Sequence, residues 1–304
     1  MAQVRGSFPG NIDNVEKEVY TLIGTTLKAE PSKWRKTFRV LTSEGKSFER
    51  RQSYAMFGSI PLKGEGEDYS TALINPGPRK DFTHLEFGGG FEWTKTAQED
   101  DRFDVLSEYA TGLARAARFT EETYAARLHN LATSSETTPD AVVAYSASHT
   151  LINGGTFSNI VAQDLSRTSL EAALTLVRTD AKSDEGHFME PPDGWFLEVP
   201  PALEFIAHRL VKSNLIPGSA DNDTNATKDR YSIEVLVNPF FSDTDSWRIV
   251  AKNKMHGMLS YTRVPIGMEK LVELPRSGNL LAKIRFRRSW GYDRAQGIVG
   301  SMGA

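Results

Sequence analysis

Hydrophobic positions recur with a helical period over one long stretch of the chain, from about Ala97 to Ala132. Phe103, Leu106, Ala110, Leu113, Ala117, Tyr124, Leu128 and Leu131 are spaced by three, four and seven, while Asp100, Asp101, Glu108, Arg115, Arg118, Glu122 and Arg127 fall on other faces. This predicts an amphipathic helix of about 54 Å at roughly 1.5 Å per residue, with Gly112 and the polar run Thr120-Glu121-Glu122-Thr123 as places where it bends or splits. Downstream, Thr168-Ser169-Leu170-Glu171 has capping-box spacing ahead of an apolar stripe of Leu170, Ala173, Leu174 and Val177. Trp195 to Val199 predicts a buried strand, and Pro200-Pro201 opens a helix whose face is Leu203, Ile206, Ala207 and Leu210. Period-two alternation from Tyr231 to Val237, stopped by Asn238-Pro239, predicts another strand. Further strands are expected at Trp247 to Ala251, Met258 to Arg263 and Leu281 to Trp290.

Upstream of the long helix the pattern is different. Short β-prone pieces, Thr37 to Leu41 and Phe82 to Phe87, are separated by charged and Gly-rich turns, and Pro61 to Asp68 is too polar to build a core. An extended hairpin reaching away from the body fits that stretch. Residues 1–35 show no sustained apolar period and are read as an arm, although Val15, Tyr20 and Leu22-Ile23 are available to dock. Strands and helices do not alternate regularly, so an α+β class is predicted rather than a doubly wound sheet.

Composition narrows the function. With 39% hydrophobic and 25% charged residues over 304 positions, a substantial core is possible, and a disordered chain is not expected. No apolar run approaches the roughly 18 residues of a membrane helix, and the first residues are not followed by the apolar core of a secretory signal. The absence of cysteine excludes disulfides, thiol catalysis and thiolate metal sites. A formal net charge of −3 means that any contact with nucleic acid is local rather than global.

Catalytic patterns are missing. Neither GxGxxG nor a P-loop is present, and Gly88-Gly89-Gly90 lacks the residues that complete a phosphate cradle, so it is read as a flexible piece of a hairpin. Ser146-Ala147-Ser148-His149 places serines beside a histidine without a GxSxG elbow, and a capped turn is the expected structure. His84, His129, His149, His187, His208 and His256 are scattered, with no metal-binding spacing. Asp221-Asn222-Asp223-Thr224-Asn225 carries oxygen ligands at alternate positions, but an EF-hand would need Gly and Glu where Ala226 and Ser232 stand. One local charge feature remains. Alternation from Lys283 to Trp290 puts Ile284, Phe286 and Trp290 on one face and Lys283, Arg285 and Arg287 on the other, a strand suited either to phosphates or carboxylates of a partner, or to solvent.

The order of these features, arm, Gly-rich hairpin, very long helix, α+β body and late long strand, resembles the major capsid proteins of tailed bacteriophages with the Hong Kong 97-like fold. Phe57-Gly58-Ser59-Ile60-Pro61 with Lys63-Gly64-Glu65-Gly66-Glu67 resembles their extended loop, and Glu99-Asp100-Asp101 resembles the start of their spine helix. Tyr145 to His149, Gly154 to Asn159, Val199 to Glu204 and Ala220 to Asp223, with Trp247 soon after, are similar to stretches met in the same group. The resemblance covers roughly residues 40 to 304.

It implies an N-terminal arm at 1–35, an extended E-loop at 36–95, a P-domain formed by 96–135 and 268–292, and an A-domain formed by 136–267 and 293–304. It also implies a protein without catalysis or cofactor that assembles with itself into pentamers and hexamers of an icosahedral shell. On that basis Phe57, Ile60, Leu62, Lys63, Asp221 and Asp223 are expected at subunit contacts, and Lys283, Arg285 and Arg287 face packaged double-stranded DNA, bound without sequence preference. Separate scaffolding, portal and decoration proteins are the other expected partners, and no membrane is. The expected location is the virion capsid, assembled in the host cytoplasm. Lys63 sits where some members crosslink, but no matching acceptor or catalytic glutamate is identifiable, and crosslinking is not predicted. An encapsulin-like compartment shell and a hydrolase using His149 or His187 are the alternative readings.

Overall fold

Two four-stranded sheets and the helices laid against them form the body of the protein. In the computed structural model, residues 12–43, 45–55, 58–71, 73–100, 103–180, 182–188, 194–215, 224–252 and 255–303 are described. The chain begins with helix α1 (Ile12–Ala29), a single 3₁₀ turn at Trp34–Lys36 and strand β1 (Arg39–Thr42). It then forms β2 (Phe48–Ala55), β3 (Asn75–Thr83), β4 (Leu85–Trp93), α2 (Lys95–Glu99) and α3 (Phe103–Asn130). After the short pair β5 (His149–Thr150) and β6 (Thr156–Phe157) come α4 (Arg167–Thr179), β7 (Trp195–Val199), α5 (Glu204–Lys212) and α6 (Ala226–Arg230). Strands β8 (Ile233–Val237), β9 (Trp247–Ala251), β10 (Met258–Glu273), β11 (Leu280–Tyr292) and β12 (Ile298–Ser301) complete it.

The first sheet has the order β1-β10-β11-β4 and the second β12-β9-β7-β8, while β2 and β3 pair only with each other. Against the first sheet lie α1 and α3, which bury Val19, Ile23, Leu106, Ala110, Ala114 and Ala117 on Met268, Ile284 and Phe286. Small residues at the helix positions let its backbone approach the strands. Against the second sheet lie α4 and α5, whose Leu170, Leu174, Val177, Ala207 and Val211 meet Trp195, Leu197, Trp247 and Ile249. A third cluster, including Trp34, Leu128, Tyr145, Met258 and Tyr292, joins the two layers. The architecture is α+β, as the unordered mixture of strands and helices predicts.

The long helix is shorter than its periodicity suggested. A separate turn, α2, is capped by the Thr94 hydroxyl, which accepts from the Ala97 amide at 3.3 Å. The 28 residues of α3 span about 42 Å. No break occurs at Gly112 or at Thr120–Thr123. The Thr120 and Thr123 hydroxyls bond back to carbonyls four residues earlier, and Glu121 and Glu122 are buried against partners described below. The capping box of α4 uses Ser166 with Ser169 rather than Thr168, and the helix starts at Arg167. The segment before residue 35 contains the helix α1, whose Val19, Ile23 and Leu27 lie against the first sheet and α3.

Strands β10 and β11 extend beyond their predicted ends to form one long antiparallel ladder. Its register shifts between Thr262 and Val264 and again before Gly267. Pro265, which has no amide hydrogen to donate, falls in the second interruption. The stretch Phe82 to Phe87 is not one strand, because the chain passes at His84 from the hairpin strand β3 to the body strand β4. Gly88-Gly89-Gly90 is no flexible turn. It pairs with Arg285, Ile284 and Lys283, and a Cβ on Gly90 would stand 2.5 Å from the Ala282 carbonyl, so close strand approach is what requires glycine.

Candidate assembly surfaces

The hairpin β2–β3 carries the first candidate surface. It has no second sheet layer of its own, and alternate residues along β2 are exposed. Beyond its paired strands, Ile60, Leu62, Tyr69 and Leu73 are 90%, 99%, 85% and 85% exposed. Such a row of large apolar side chains on a loop with no core is an uncovered surface. The turn is ordered locally: Glu67 accepts from the Gly64 amide at 2.9 Å, and the Lys63 ammonium lies 5.0 Å above the Tyr69 ring. Phe57, Asp221 and Asp223 lie outside the described residues. Ile60, Leu62 and Lys63 therefore share one loop.

At its base the hairpin leans on the body. The Lys80 ammonium donates to the Thr137 carbonyl at 2.9 Å, and the Asn75 amide donates to Asn153 at 3.0 Å. A Cβ at Gly77 would overlap the ends of the Ile152 and Ser53 side chains, which would have to shift, so glycine eases this approach. Between hairpin and body is a cavity of about 350 Å³, lined among others by Arg51, Tyr54, Asp184, Glu185, Asp293 and Arg294. Burial raises the Asp184 and Asp293 carboxyls above the usual carboxylate range. On the body side of this seam Asp293 is paired with Arg39 at 3.0 Å and with Arg294 at 3.5 Å.

The second surface is the polar face of β11. Exposure alternates from Leu280 to Arg288, with Leu280, Ala282, Ile284 and Phe286 buried and Lys283, Arg285 and Arg287 outward, as period two requires. The three cations are not bare. Lys283 is 3.2 Å from Glu269, Arg285 is 2.6 Å from Glu86 and 3.8 Å from Glu269, and Arg287 is 3.6 Å from Glu86. The hydrogen bond from Arg285 holds the Glu86 carboxyl below its ordinary value. Three positive charges thus face two negative ones, and the strip keeps a single positive excess.

Arg288, next in the run, turns inward. Its side chain is 2% exposed and lies 3.0 Å from Glu121 of α3, which is fully buried. Burial lowers the Arg288 guanidinium to about 10, still protonated at neutral pH. Arg118 reaches the same carboxylate at 2.8 Å and also donates to Ser32 at 2.7 Å and to the Leu27 carbonyl at the end of α1 at 2.8 Å. The neighbouring Glu122 accepts from the amides of Lys33 and Trp34. Two glutamates read from sequence as a polar interruption are therefore the clasp that holds residues 27–34 across α3. A second buried pair, Arg248 with Glu198 at 2.7 Å, is completed by Asn238 at 2.8 Å and lies within the second layer. The signal that could have revealed both is the placement of charges on otherwise apolar faces.

The hydrolase reading requires a nucleophile beside a histidine. His149 is fully buried, with Nδ1 2.9 Å from Asp140 and Nε2 3.1 Å from the Asn159 side-chain oxygen. Both ring nitrogens are engaged in pinning loops, and the Ser146 hydroxyl accepts instead from the Ser148 amide at 3.2 Å. His187 lies on an exposed turn. Among the described residues no group of three or more His, Asp or Glu side chains could hold a metal ion.

Solved structures share the fold at low sequence identity. The capsid of the cyanophage P-SCSP1u matches with a TM-score of 0.60 at 11% identity, covering 90% of this chain and 89% of that one. The capsid of the empty GTA particle matches with a TM-score of 0.58 at 14% identity, covering 90% of each chain. A virus-like particle from Pyrococcus furiosus matches with a TM-score of 0.52 at 11% identity, covering 94% of this chain and 98% of that one. No curated protein sequence matches the chain. A family model described as phage capsid protein matches residues 79–299, which take in β4, the long helix, the first sheet except β1, and the second sheet except the end of β12. With that span matched, this chain belongs to the phage capsid protein family, as a structural shell protein.

Proposed function

We propose that the protein is the major capsid subunit of a tailed bacteriophage, assembling with copies of itself into pentamers and hexamers of an icosahedral shell around double-stranded DNA. In this reading the fold is Hong Kong 97-like: residues 1–35 are the arm, 36–95 the E-loop, 96–135 and 268–292 the P-domain with α3 as spine helix, and 136–267 and 293–304 the A-domain. The observation that carries it, beyond family membership, is the uncovered apolar row at the hairpin tip. Ile60 and Leu62 gain about 1.5–3 kcal/mol each when fully buried, which favours a neighbouring subunit over water as their surroundings. Part of that gain is offset by the ordering of the loop on association. Phe57, Lys63, Asp221 and Asp223 belong to the same proposed contacts. A groove of about 420 Å³ beside Phe119 of α3 and Phe240 of the turn after β8 supplies an apolar counterpart on the receiving subunit.

Lys283, Arg285 and Arg287 are the proposed DNA-facing residues, contacting phosphates without reading bases. Scaffolding, portal and decoration proteins are separate partners in this reading, and the virion, assembled in the host cytoplasm, is where the protein acts. The test is electron microscopy of the purified full chain and of Ile60→Ser/Leu62→Ser, with circular dichroism as the control for folding. Rings, tubes or shells from the parent, lost in the folded double variant, are expected. A parent that remains a 33.8 kDa monomer even when co-produced with the other head proteins overturns the reading. Shells unaffected by the double substitution overturn the role of the loop, and shells that enclose a protein cargo rather than DNA favour the compartment alternative.

A further inference from the structure

The chain enters and leaves the β2–β3 hairpin at two touching residues. It enters just after β1, at Ser43, and leaves at His84, the single residue between β3 and β4. His84 Nε2 lies 3.0 Å from the Ser43 hydroxyl, and its Nδ1 lies 3.2 Å from the hydroxyl of Ser289 in β11. The imidazole is 6% exposed. One side chain therefore ties both legs of the hairpin to the sheet beneath them.

Ser43 fixes the direction of these bonds. Its hydroxyl donates to Glu49 Oε1 at 2.7 Å, so its oxygen is left to accept from His84. Nε2 then carries the hydrogen of a neutral ring, and Nδ1 accepts from the Ser289 hydroxyl. Every donor in the row from Ser289 through His84 and Ser43 to Glu49 has its acceptor. A second ring proton ends this row, because Nδ1 can then only donate: the Ser289 oxygen must accept in its place, and the Ser289 hydroxyl hydrogen must swing off the ring in a buried site. The charged groups facing the ring come from three strands: Glu49 of β2, Arg287 of β11 and Arg263 of β10. Burial lowers the proton affinity of His84, the two arginines add to that, and Glu49 opposes it, so the ring is neutral at physiological pH. Of the other contacts between hairpin and body, Lys80 with Thr137 and Asn75 with Asn153 hold no imidazole, and the raised Asp184 and Asp293 carboxyls in the cavity there are kept in His84→Asn, so that variant separates their titration from that of the ring.

We propose that His84 is an acid-releasable pin at the root of the hairpin, locking it to the body sheet when the ring is neutral and loosening it when the ring is protonated. The sign follows from linkage. A histidine whose proton affinity is lowered by folding stabilises the pinned state above the ordinary imidazole value near 6.5, and that contribution is lost as the pH falls through the lowered folded value. The proposal concerns the hinge of a single chain and stands or falls apart from the assembly reading.

The test is hydrogen–deuterium exchange by mass spectrometry on the full unassembled chain at about pH 7.5 and about pH 5, corrected for intrinsic exchange rates, with imidazole titration by NMR alongside. At the lower pH, exchange in β2 and β3 is expected to accelerate by about tenfold or more while β7 and β9 stay unchanged. In His84→Asn, which keeps a donor and an acceptor but cannot gain a proton in this range, the acceleration is expected to fall below about twofold. No acceleration in the parent, or equal acceleration in His84→Asn, overturns the proposal. If that variant does not fold, the parent decides alone. A His84 resonance that titrates in step with the exchange change supports the pin, and one that titrates independently of it overturns it.

Discussion

The buried clasp on α3 permits a quantitative prediction. Replacing Glu121 by alanine removes the carboxylate shared by Arg288 and Arg118, at 3.0 Å and 2.8 Å. Arg288 cannot reach water, since its side chain is 2% exposed, whereas Arg118 at 18% keeps some contact with solvent and two other acceptors. The penalty is therefore dominated by one stranded guanidinium. Removing one partner of a buried ion pair costs about 3–5 kcal/mol, most of it the desolvation of the charge left behind. Stacking of Arg288 on the Trp34 ring at 4.8 Å does not replace the lost partner, because such contacts contribute about 0.5–2 kcal/mol and exist already in the parent. At about 2 °C per kcal/mol for a chain of this size, the melting temperature of unassembled subunits should fall by roughly 6–10 °C. Glu121→Leu combined with Arg288→Met removes both charges, and should recover more than half of that loss, since hydrophobic replacement of a buried pair is often neutral. Thermal unfolding followed by near-ultraviolet circular dichroism reads all three proteins. A Glu121→Ala shift below about 2 °C, or a double variant no more stable than the single one, would refute the reasoning that an uncompensated charge sets the cost.

Three other expectations are simpler. Burial raises the Glu122 carboxyl above its ordinary value, so its contribution to stability is present below that value and is lost as the pH rises through the folded one; Glu122→Gln should gain on the parent in urea midpoint between about pH 4 and pH 7. A Cβ at Gly300 of β12 would overlap the buried Tyr145 ring, and Gly300→Ala should cost about 1–3 kcal/mol in urea unfolding; a cost below about 0.5 kcal/mol would show that the ring moves freely. Glu86→Gln frees Arg285 and Arg287 and should tighten non-specific DNA binding with a steeper salt dependence, whereas Lys283→Gln/Arg285→Gln/Arg287→Gln should weaken it, both read by filter binding across a salt series.

Periodic features were legible in the sequence wherever one face alone is buried. The stripe Leu106, Ala110, Leu113 and Ala117 gave α3, and the alternation Lys283, Arg285, Arg287 gave the outward face of β11. Pairing was not legible, because Arg285 and Glu86 are 199 residues apart and nothing in either neighbourhood announces the other. Charges at buried positions misled in the same way: Glu121 and Glu122 look like solvent until Arg288 and the amides of residues 33 and 34 arrive from distant parts of the chain. The stripe of α1, Val19, Ile23 and Leu27, is regular but short, and Thr21, Gly24, Thr25 and Thr26 between its members hide it. Gly88-Gly89-Gly90 has the composition of a turn, and only the closeness of the Ala282 carbonyl explains why it is a strand. For the candidate surfaces, Ile60, Leu62 and Lys63 are expected at contacts from the resemblance, and Ile60 and Leu62 are exposed, while the way the hairpin leans on residues 137–153 depends on three-dimensional proximity alone.

The strand orders also govern when the subunit becomes complete during its synthesis. Strand β1 pairs with β10, β4 with β11, and the outermost strand of the second sheet is β12. Strands β1 and β4 thus wait for partners made roughly 200 residues later, and the first sheet does not close until Tyr292 has been translated, nor the second until Ser301. Helix α3 emerges long before Ile284 and Phe286, the residues that cover its apolar face. During that interval the exposed stripe is a target for chaperones and for aggregation, and closing the first sheet is a step of high contact order. The β2–β3 hairpin, whose strands pair only with each other, is complete well before the sheet in which it is rooted.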